Sequence, residues 1–213
     1  FLAGVNPSAV KREFKRIIAG EYRIVDRMML EVKGLERDQL ERGSSDNVAL
    51  NELVLERGAS PRTLSIDVFH GDEYFNTFSS DGIIVATPTG STAYSLSAGG
   101  PLVAATLEVI IITPICPHCL YERPFVVSAD KPVRLQLQEI EENALIALDG
   151  QGVFRTNEKV NVEISMSKNK LKMLTSPDIG QYEVIRSKLN WGCPFIPVDS
   201  SERPAPPRID RSN

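Results

Sequence analysis

Short runs in which every second residue is apolar recur along this chain, divided by turn-forming residues. No other feature of the sequence constrains the fold as much. Leu64, Ile66 and Val68 alternate with polar neighbours, His70-Gly71-Asp72-Glu73 has turn composition, and Tyr74 to Phe78 returns. A period of two puts alternate side chains on one face of a strand, so Thr63 to Phe78 predicts a β-hairpin. Val133-Arg134-Leu135-Gln136-Leu137 and Val160-Asn161-Val162-Glu163-Ile164 carry the same period. Tyr22 to Val32, Ala49 to Glu56, Ile83 to Ala86, Leu107 to Thr113, Ala144 to Leu148 and Lys170 to Leu174 read as further strands, about nine in all. Helical signals are few. Pro7 to Ala19 has Asn6 as an N-cap, Pro7 at the first helical position, and Val10, Phe14, Ile17 and Ile18 on one face. Tyr182 to Leu189 predicts a second short helix. The expected class is mainly β, a sandwich-like domain of two packed sheets with few short helices.

Three regions follow: a helical segment at 1–20, a β-rich domain at 21–192, and a proline-rich tail at 193–213, expected to be disordered. Within the domain, Gly34 to Asn47 reads as an exposed loop. The formal net charge is −4, from 24 basic and 28 acidic residues. That balance argues against a nucleic-acid partner, which would show as a basic excess or stripe. The most apolar run, Val109 to Ile112, is strand-sized, so no membrane span is expected. Three cysteines, an odd number, argue against a secreted disulfide framework and for a reducing cytoplasm.

Residues 81 to 101 carry the strongest chemical signal. An apolar run, Ile83 to Ala86, leads into Thr87-Pro88-Thr89-Gly90-Ser91-Thr92-Ala93-Tyr94-Ser95-Leu96-Ser97. A turn dense in hydroxyls and glycine lets a ligand approach the backbone. The Thr-Ala-Tyr-Ser-Leu-Ser stretch suits a helix start, with Ser91 or Thr92 as cap and free N–H groups for a polar or anionic ligand. Tyr94 offers a ring and a hydroxyl. Residue types alone also permit a plain Gly/Pro/Ser-rich loop. The glycines match neither the dinucleotide fingerprint nor a phosphate-binding loop. Asn51-Glu52 is a second candidate: adjacent polar residues on a strand face opposite sides, so one of them faces the apolar side, at a cost unless it lines a pocket. Asp149-Gly150-Gln151 is a third, with a hairpin turn as the plain alternative.

Taken together these segments resemble the successive motifs of NAD kinases. The match comprises Ala49-Leu50-Asn51-Glu52, Ser80-Asp81-Gly82, Thr87 to Tyr94, Ile112-Thr113-Pro114-Ile115-Cys116-Pro117-His118 and Asp149-Gly150-Gln151, in order and spacing. Lys188-Leu189-Asn190-Trp191-Gly192 is similar to the family's Leu-x-Trp ending, and Phe1-Leu2 to the end of its Gly-Phe-Leu segment. The resemblance implies transfer of the γ-phosphate of ATP, or in some members of polyphosphate, to the 2′-hydroxyl of the adenosine ribose of NAD, giving NADP. It implies NAD and ATP as partners, Mg²⁺ or another divalent cation with the ATP, and a homo-oligomer. By position, Asn51 would contact the adenine end, Glu52 the ribose hydroxyls and Asp81 the nicotinamide carboxamide. Thr92, Ala93, Tyr94 and Ser97 would line the adenine pocket with Thr89 near. Asp149, Gly150 and Gln151 would close the site, often from a neighbouring subunit, and Arg62 would sit near the phosphates.

The same resemblance marks an expected gap. The family's Gly-Gly-Asp-Gly motif belongs to an N-terminal α/β domain, and its aspartate is taken as the carboxylate that activates the 2′-hydroxyl. Here the two Asp-Gly pairs, Asp81-Gly82 and Asp149-Gly150, do not follow a Gly-Gly. The first residue is Phe1 rather than methionine, so residues 1–20 are expected to be a linker helix after a missing domain. No catalytic residue and no metal ligand is expected in this chain, and it is expected not to turn over alone. A non-catalytic NAD-binding or oligomer-scaffold module is the alternative. A less favoured one is thiol–disulfide exchange through Cys116-Pro117-His118-Cys119. That motif should open a helix in a βαβ unit, and Pro114, Pro117 and Pro124 crowd the region.

Overall fold

The computed structural model describes residues 10–35, 47–58, 62–137, 144–156, 159–178 and 180–189. Several expectations fall outside these residues: the Asn6 cap and Pro7, most of the Gly34–Asn47 loop, the Trp191 ending and the tail from Cys193. In chain order the elements are α1 (Val10–Ile18), β1 (Arg23–Arg27), β2 (Leu30–Lys33), β3 (Val48–Ala49), β4 (Glu52–Arg57), β5 (Leu64–His70), β6 (Glu73–Ser80), β7 (Gly82–Ala86), a 3-10 turn at Gly90–Thr92, α2 (Tyr94–Ser97), β8 (Val109–Ile115), β9 (Phe125–Ser128), β10 (Val133–Leu137), β11 (Ala144–Leu148), β12 (Gln151–Thr156), β13 (Val160–Met166), β14 (Leu171–Thr175) and α3 (Gln181–Leu189).

The chain divides into two compact units, Ile24–Leu174 and the combination of Phe1–Arg23 with Thr175–Asn213. In the second of these, Arg16 pairs with Asp178 at 2.7 Å and with Glu21 at 3.0 Å. The helix expected at 7–19 is present as α1, but its apolar face is not buried. Val10, Phe14 and Ile18 are exposed, and the buried position is Glu13, held by Arg12 and Arg16. Apolar period locates a helix face without specifying what covers it.

The unit Ile24–Leu174 is built from two six-stranded sheets, ordered β3-β2-β13-β10-β5-β6 and β12-β11-β4-β7-β8-β9, and β1 pairs with β14. The pairings within the two large sheets are antiparallel. The strands alternate as the period of two requires: β10 and β11 bury Val133, Leu135, Leu137, Ala144, Ile146 and Leu148. These side chains join Ile66, Val68, Leu53, Leu55, Ile83, Val85, Ile110 and Ile112 in one core shared by the two sheets. Each valine, leucine or isoleucine among them contributes roughly 1.5–3 kcal/mol on burial.

The second sheet is covered on its other face as well. Val54, Ile84, Ala86 and Ile111 form a separate cluster with Ala98, Val103 and Ile115. This explains why β4 and β7 are buried at consecutive positions rather than alternate ones. The segment that follows β7 is thereby fixed against the sheet.

The mainly β, two-sheet expectation is met, with fourteen strands among the described residues rather than about nine. The strand expected at 22–32 is two strands in different sheets, interrupted at Met28-Met29. Strands β3, β9 and β12 were missed. β3 has two residues, Pro124 precedes β9, and Gly152 interrupts the apolar pattern of β12. Asn51 precedes β4 rather than lying within it, so the opposite-faces argument applies to Glu52 alone.

Candidate functional site

Thr87 links the two motifs that the sequence singled out. Its amide donates to the Asn51 carbonyl at 2.8 Å, and its hydroxyl donates to the Leu50 carbonyl at 2.6 Å. The Thr87 hydroxyl oxygen also accepts the Gly90 amide at 3.0 Å. Gly90 lies so close to Asn51 that an added Cβ would overlap the Asn51 carbonyl. Ser91 is fully buried; its hydroxyl accepts the Val103 amide at 3.1 Å and reaches the Pro88 carbonyl at 2.6 Å. Asn51 and the 87–91 turn therefore form one continuous hydrogen-bonded surface.

The turn is not the helix start that its residue types suggest. Gly90–Thr92 forms a 3-10 turn, and Tyr94–Ser97 is a single helical turn preceded by Ala93, without a side-chain cap. Neither Ser91 nor Thr92 is a cap: the Thr92 hydroxyl donates to the Thr89 carbonyl. The amides of Ser91, Thr92 and Ala93 donate to carbonyls at Thr87, Thr89 and Gly90. The expected free N–H groups at 91–93 are already used inside the turn, since a tight 3-10 turn closes its own i→i+3 bonds.

Glu52 is the buried charge of the site, with 6% of its surface exposed. Its carboxylate accepts the Tyr94 amide, while Oε2 is buried with no partner. Burial foremost, and the nearby charge of Asp149, push the Glu52 carboxyl up to about 7, with the Tyr94 amide opposing. Asp149 occupies the turn between β11 and β12 with φ 50°, followed by Gly150 at φ 68°. Its Oδ2 accepts the Leu50 amide at 2.7 Å, and its Oδ1 accepts the amides of Asn51 at 2.7 Å and Glu52 at 3.0 Å. The Asp149 amide returns a bond to the Glu52 carbonyl at 3.0 Å. Asp149 thus clamps the backbone that presents Asn51 and Glu52 within a single chain.

Asp81 stands where β6 passes to β7. Its carboxylate meets the Arg57 guanidinium, Nε to Oδ1 at 2.9 Å and Nη2 to Oδ2 at 3.3 Å. The Tyr94 hydroxyl is held above the usual phenol range by burial first, then by Glu56, Cys116 and Asp81. Tyr94 therefore joins two groups, its amide on Glu52 and its hydroxyl in the field of Asp81.

The structure brings Asn51, Glu52, Thr89, Thr92, Ala93, Tyr94 and Asp149 together, with Asp81 beside them. Ser97 is exposed on α2, and Gly150 and Gln151 are exposed beyond Asp149 at the hairpin tip. Arg62 is exposed two residues before β5. Sequence reasoning passed over Thr87 and Arg57. Thr87 stands inside the quoted motif, and Arg57 lies five residues beyond Glu52. A cavity of about 550 Å³ lies elsewhere, lined by His70, Asp72, Glu73, Lys131, Arg134 and Glu163; its two cations, Lys131 and Arg134, face three carboxylates. Cys116 and Cys119 are free and exposed. They lead into turns between antiparallel β8 and β9, not into a helix of a βαβ unit. Among the described residues, no group of three or more His, Cys, Asp or Glu is placed to hold a metal ion.

Residues 50–176 match the family model described as the ATP-NAD kinase C-terminal domain. An NAD kinase of Caldanaerobacter subterraneus subsp. tengcongensis is 41% identical over 189 residues, covering 89% of this chain and 66% of the relative. An NAD kinase of Geotalea daltonii is 36% identical over 195 residues, with 90% and 66% coverage. The chain thus spans 66% of the length of these relatives. Among solved structures, yeast NADH kinase complexed with NADH superposes with a TM-score of 0.78 at 27% identity, covering 93% of this chain and 58% of that one. An Archaeoglobus fulgidus NAD kinase in complex with ATP shares the fold, with a TM-score of 0.67 at 24% identity, covering 81% and 63%.

Proposed function

The chain belongs to the NAD kinase family through its C-terminal domain, and we propose that it forms the dinucleotide-holding part of an enzyme that phosphorylates the 2′-hydroxyl of the adenosine ribose of NAD with ATP, giving NADP. The observation that carries this reading is the Glu52 carboxylate, buried beside the hydroxyl-rich turn with Oε2 lacking a partner. A buried carboxylate oxygen without a donor is costly, and a ribose diol supplies the missing donors. Asn51 offers a carboxamide at the same edge, and Tyr94 a half-exposed ring for the adenine. The Asp81 carboxylate, whose charge is felt at the Tyr94 hydroxyl, would bond the carboxamide of the nicotinamide.

The transfer step is assigned outside these 213 residues. They contain no Gly-Gly-Asp-Gly run. Glu52 is the base-like carboxylate of the site, and it is proposed to hold the ribose rather than to activate it. A divalent cation would enter with ATP, because the described residues do not fit a metal site of their own. A homo-oligomer belongs to the same proposal; exposed Leu120, Tyr121 and Phe125 supply apolar surface for contacts between copies. Free, exposed Cys116 and Cys119 suit the reducing cytoplasm expected for the chain.

Calorimetric titration of the purified chain with NAD tests the reading. Saturable binding that Glu52→Gln and Tyr94→Ala each weaken by roughly 1–3 kcal/mol supports it. Binding unchanged in both variants overturns the site. Incubation with ATP, Mg²⁺ and NAD should give no steady NADP yield, and a steady yield would overturn the assignment of the transfer step.

A further inference from the structure

Arg57 binds Asp81 at both ends of the residue. The Arg57 amide donates to the Asp81 carbonyl at 2.9 Å, and its guanidinium forks onto the carboxylate at 2.9 and 3.3 Å. The Asp81 amide in turn donates to the Ile115 carbonyl at 2.9 Å. Gly82 follows with no room for a side chain, because a Cβ there would lie 2.5 Å from the Leu55 carbonyl oxygen. The backbone at Asp81 is therefore pinned on both sides, and the guanidinium sets the remaining freedom, the rotation of the carboxylate.

A forked arginine–carboxylate pair is planar and directional. It uses one lone-pair direction on each oxygen and leaves the others pointing away from the guanidinium, where an amide N–H₂ can donate. The carboxylate is two-thirds or more covered by protein, with 29% of the side chain exposed. Rotating it without the arginine would leave Asp81 near Glu56 and the Tyr94 hydroxyl with no cation to orient it.

We infer that Arg57 is a positioning residue, aiming the Asp81 carboxylate at the carboxamide end of the bound dinucleotide and so setting the preference for an intact dinucleotide over its ADP-ribose part. This rests on the dinucleotide reading of the site. Arg57 itself touches no ligand; it acts through Asp81.

The test compares NAD with ADP-ribose, which lacks the carboxamide, by calorimetry on the full chain. Wild-type protein should bind NAD more tightly than ADP-ribose. Arg57→Gln should weaken NAD by about tenfold and leave ADP-ribose within about twofold. Arg57→Lys, which keeps the charge but not the fork, should fall between. Asp81→Asn combined with Arg57→Gln should lose no more than either variant alone. An equal loss for both ligands marks a merely structural role and overturns the inference, as does no loss for either. Wild-type protein that binds neither ligand overturns the dinucleotide reading and this inference with it.

Discussion

The Asp149 carboxylate accepts the Glu52 amide at 3.0 Å while its charge helps to raise the pKa of the Glu52 side chain. Burial makes the ionisation of Glu52 expensive, and the residue that fixes where Glu52 stands adds to that cost. Glu52 is raised from 4.5 to about 7 on folding. The folded chain therefore binds the proton more tightly than the unfolded chain. The associated stability is fully present below pH 4.5 and is lost as pH rises to about 7. The loss amounts to at most about 3 kcal/mol. Glu52→Gln should flatten this part of the profile and stabilise the chain at pH 8, while weakening NAD binding by roughly 1–3 kcal/mol. Urea unfolding at pH 4, 6 and 8, run beside calorimetry, checks both halves. A variant that loses stability at pH 8 contradicts the assignment.

Asp149→Asn replaces one acceptor oxygen of the clamp by an N–H₂ group facing an N–H donor. It also removes the charge that opposes Glu52 ionisation. The expected cost is about 1–3 kcal/mol in unfolding free energy. NAD affinity should fall too, because Asn51 and Glu52 lose their fixed backbone. The midpoint of the Glu52 titration, followed through the pH dependence of NAD binding, should move below that of the parent chain. An unchanged midpoint would show that the Asp149 charge is not felt at Glu52.

The sheet content was legible because the period of two survives wherever a strand has one buried face, as in β10 and β11. The alternation breaks down where burial is two-sided, as in β4, buried at four consecutive positions although Ala49 to Glu56 still reads as a strand, and it gives no signal in β3, which has two residues. The motif residues announced a site, but their roles were not readable from type. The amides of 91–93 look available in sequence and are consumed by a turn that only the backbone path reveals. Asp149 looks like a hairpin residue or a lid, and its real partners are 97–99 residues away in sequence. Arg57 carries no motif signal at all, since only the sheet register sets it against Asp81.

Gly90→Ala tests how tightly the turn sits on Asn51. The new methyl would collide with the Asn51 carbonyl carbon and oxygen, which are backbone atoms and cannot swing aside. The turn must lift, breaking the Thr87 bonds to Leu50 and Asn51. A loss of about 2 kcal/mol or more is expected, together with the loss of NAD binding. Gly180→Ala is the control, because nothing lies within 4 Å of its added Cβ. Thermal unfolding of the two variants should separate them by several degrees.

Ile84 and Ile66 are both fully buried, yet they belong to different clusters. Ile66 fills the core between the sheets. Ile84 lies on the outer face, with Ala98 and Val103, beneath the segment that carries the turn. Truncation of either to alanine should cost roughly 2–5 kcal/mol. Their effects on the site should differ. Ile66→Ala leaves the support of the turn intact, so NAD affinity measured well below the unfolding temperature should stay near the parent value. Ile84→Ala opens space under Ala98 and Val103, and Val103 is bonded to the Ser91 hydroxyl. A turn with weaker support positions Tyr94 less well, and affinity should fall several-fold. Equal binding by the two variants would mean that the outer cluster only stabilises the sheet and does not position the turn.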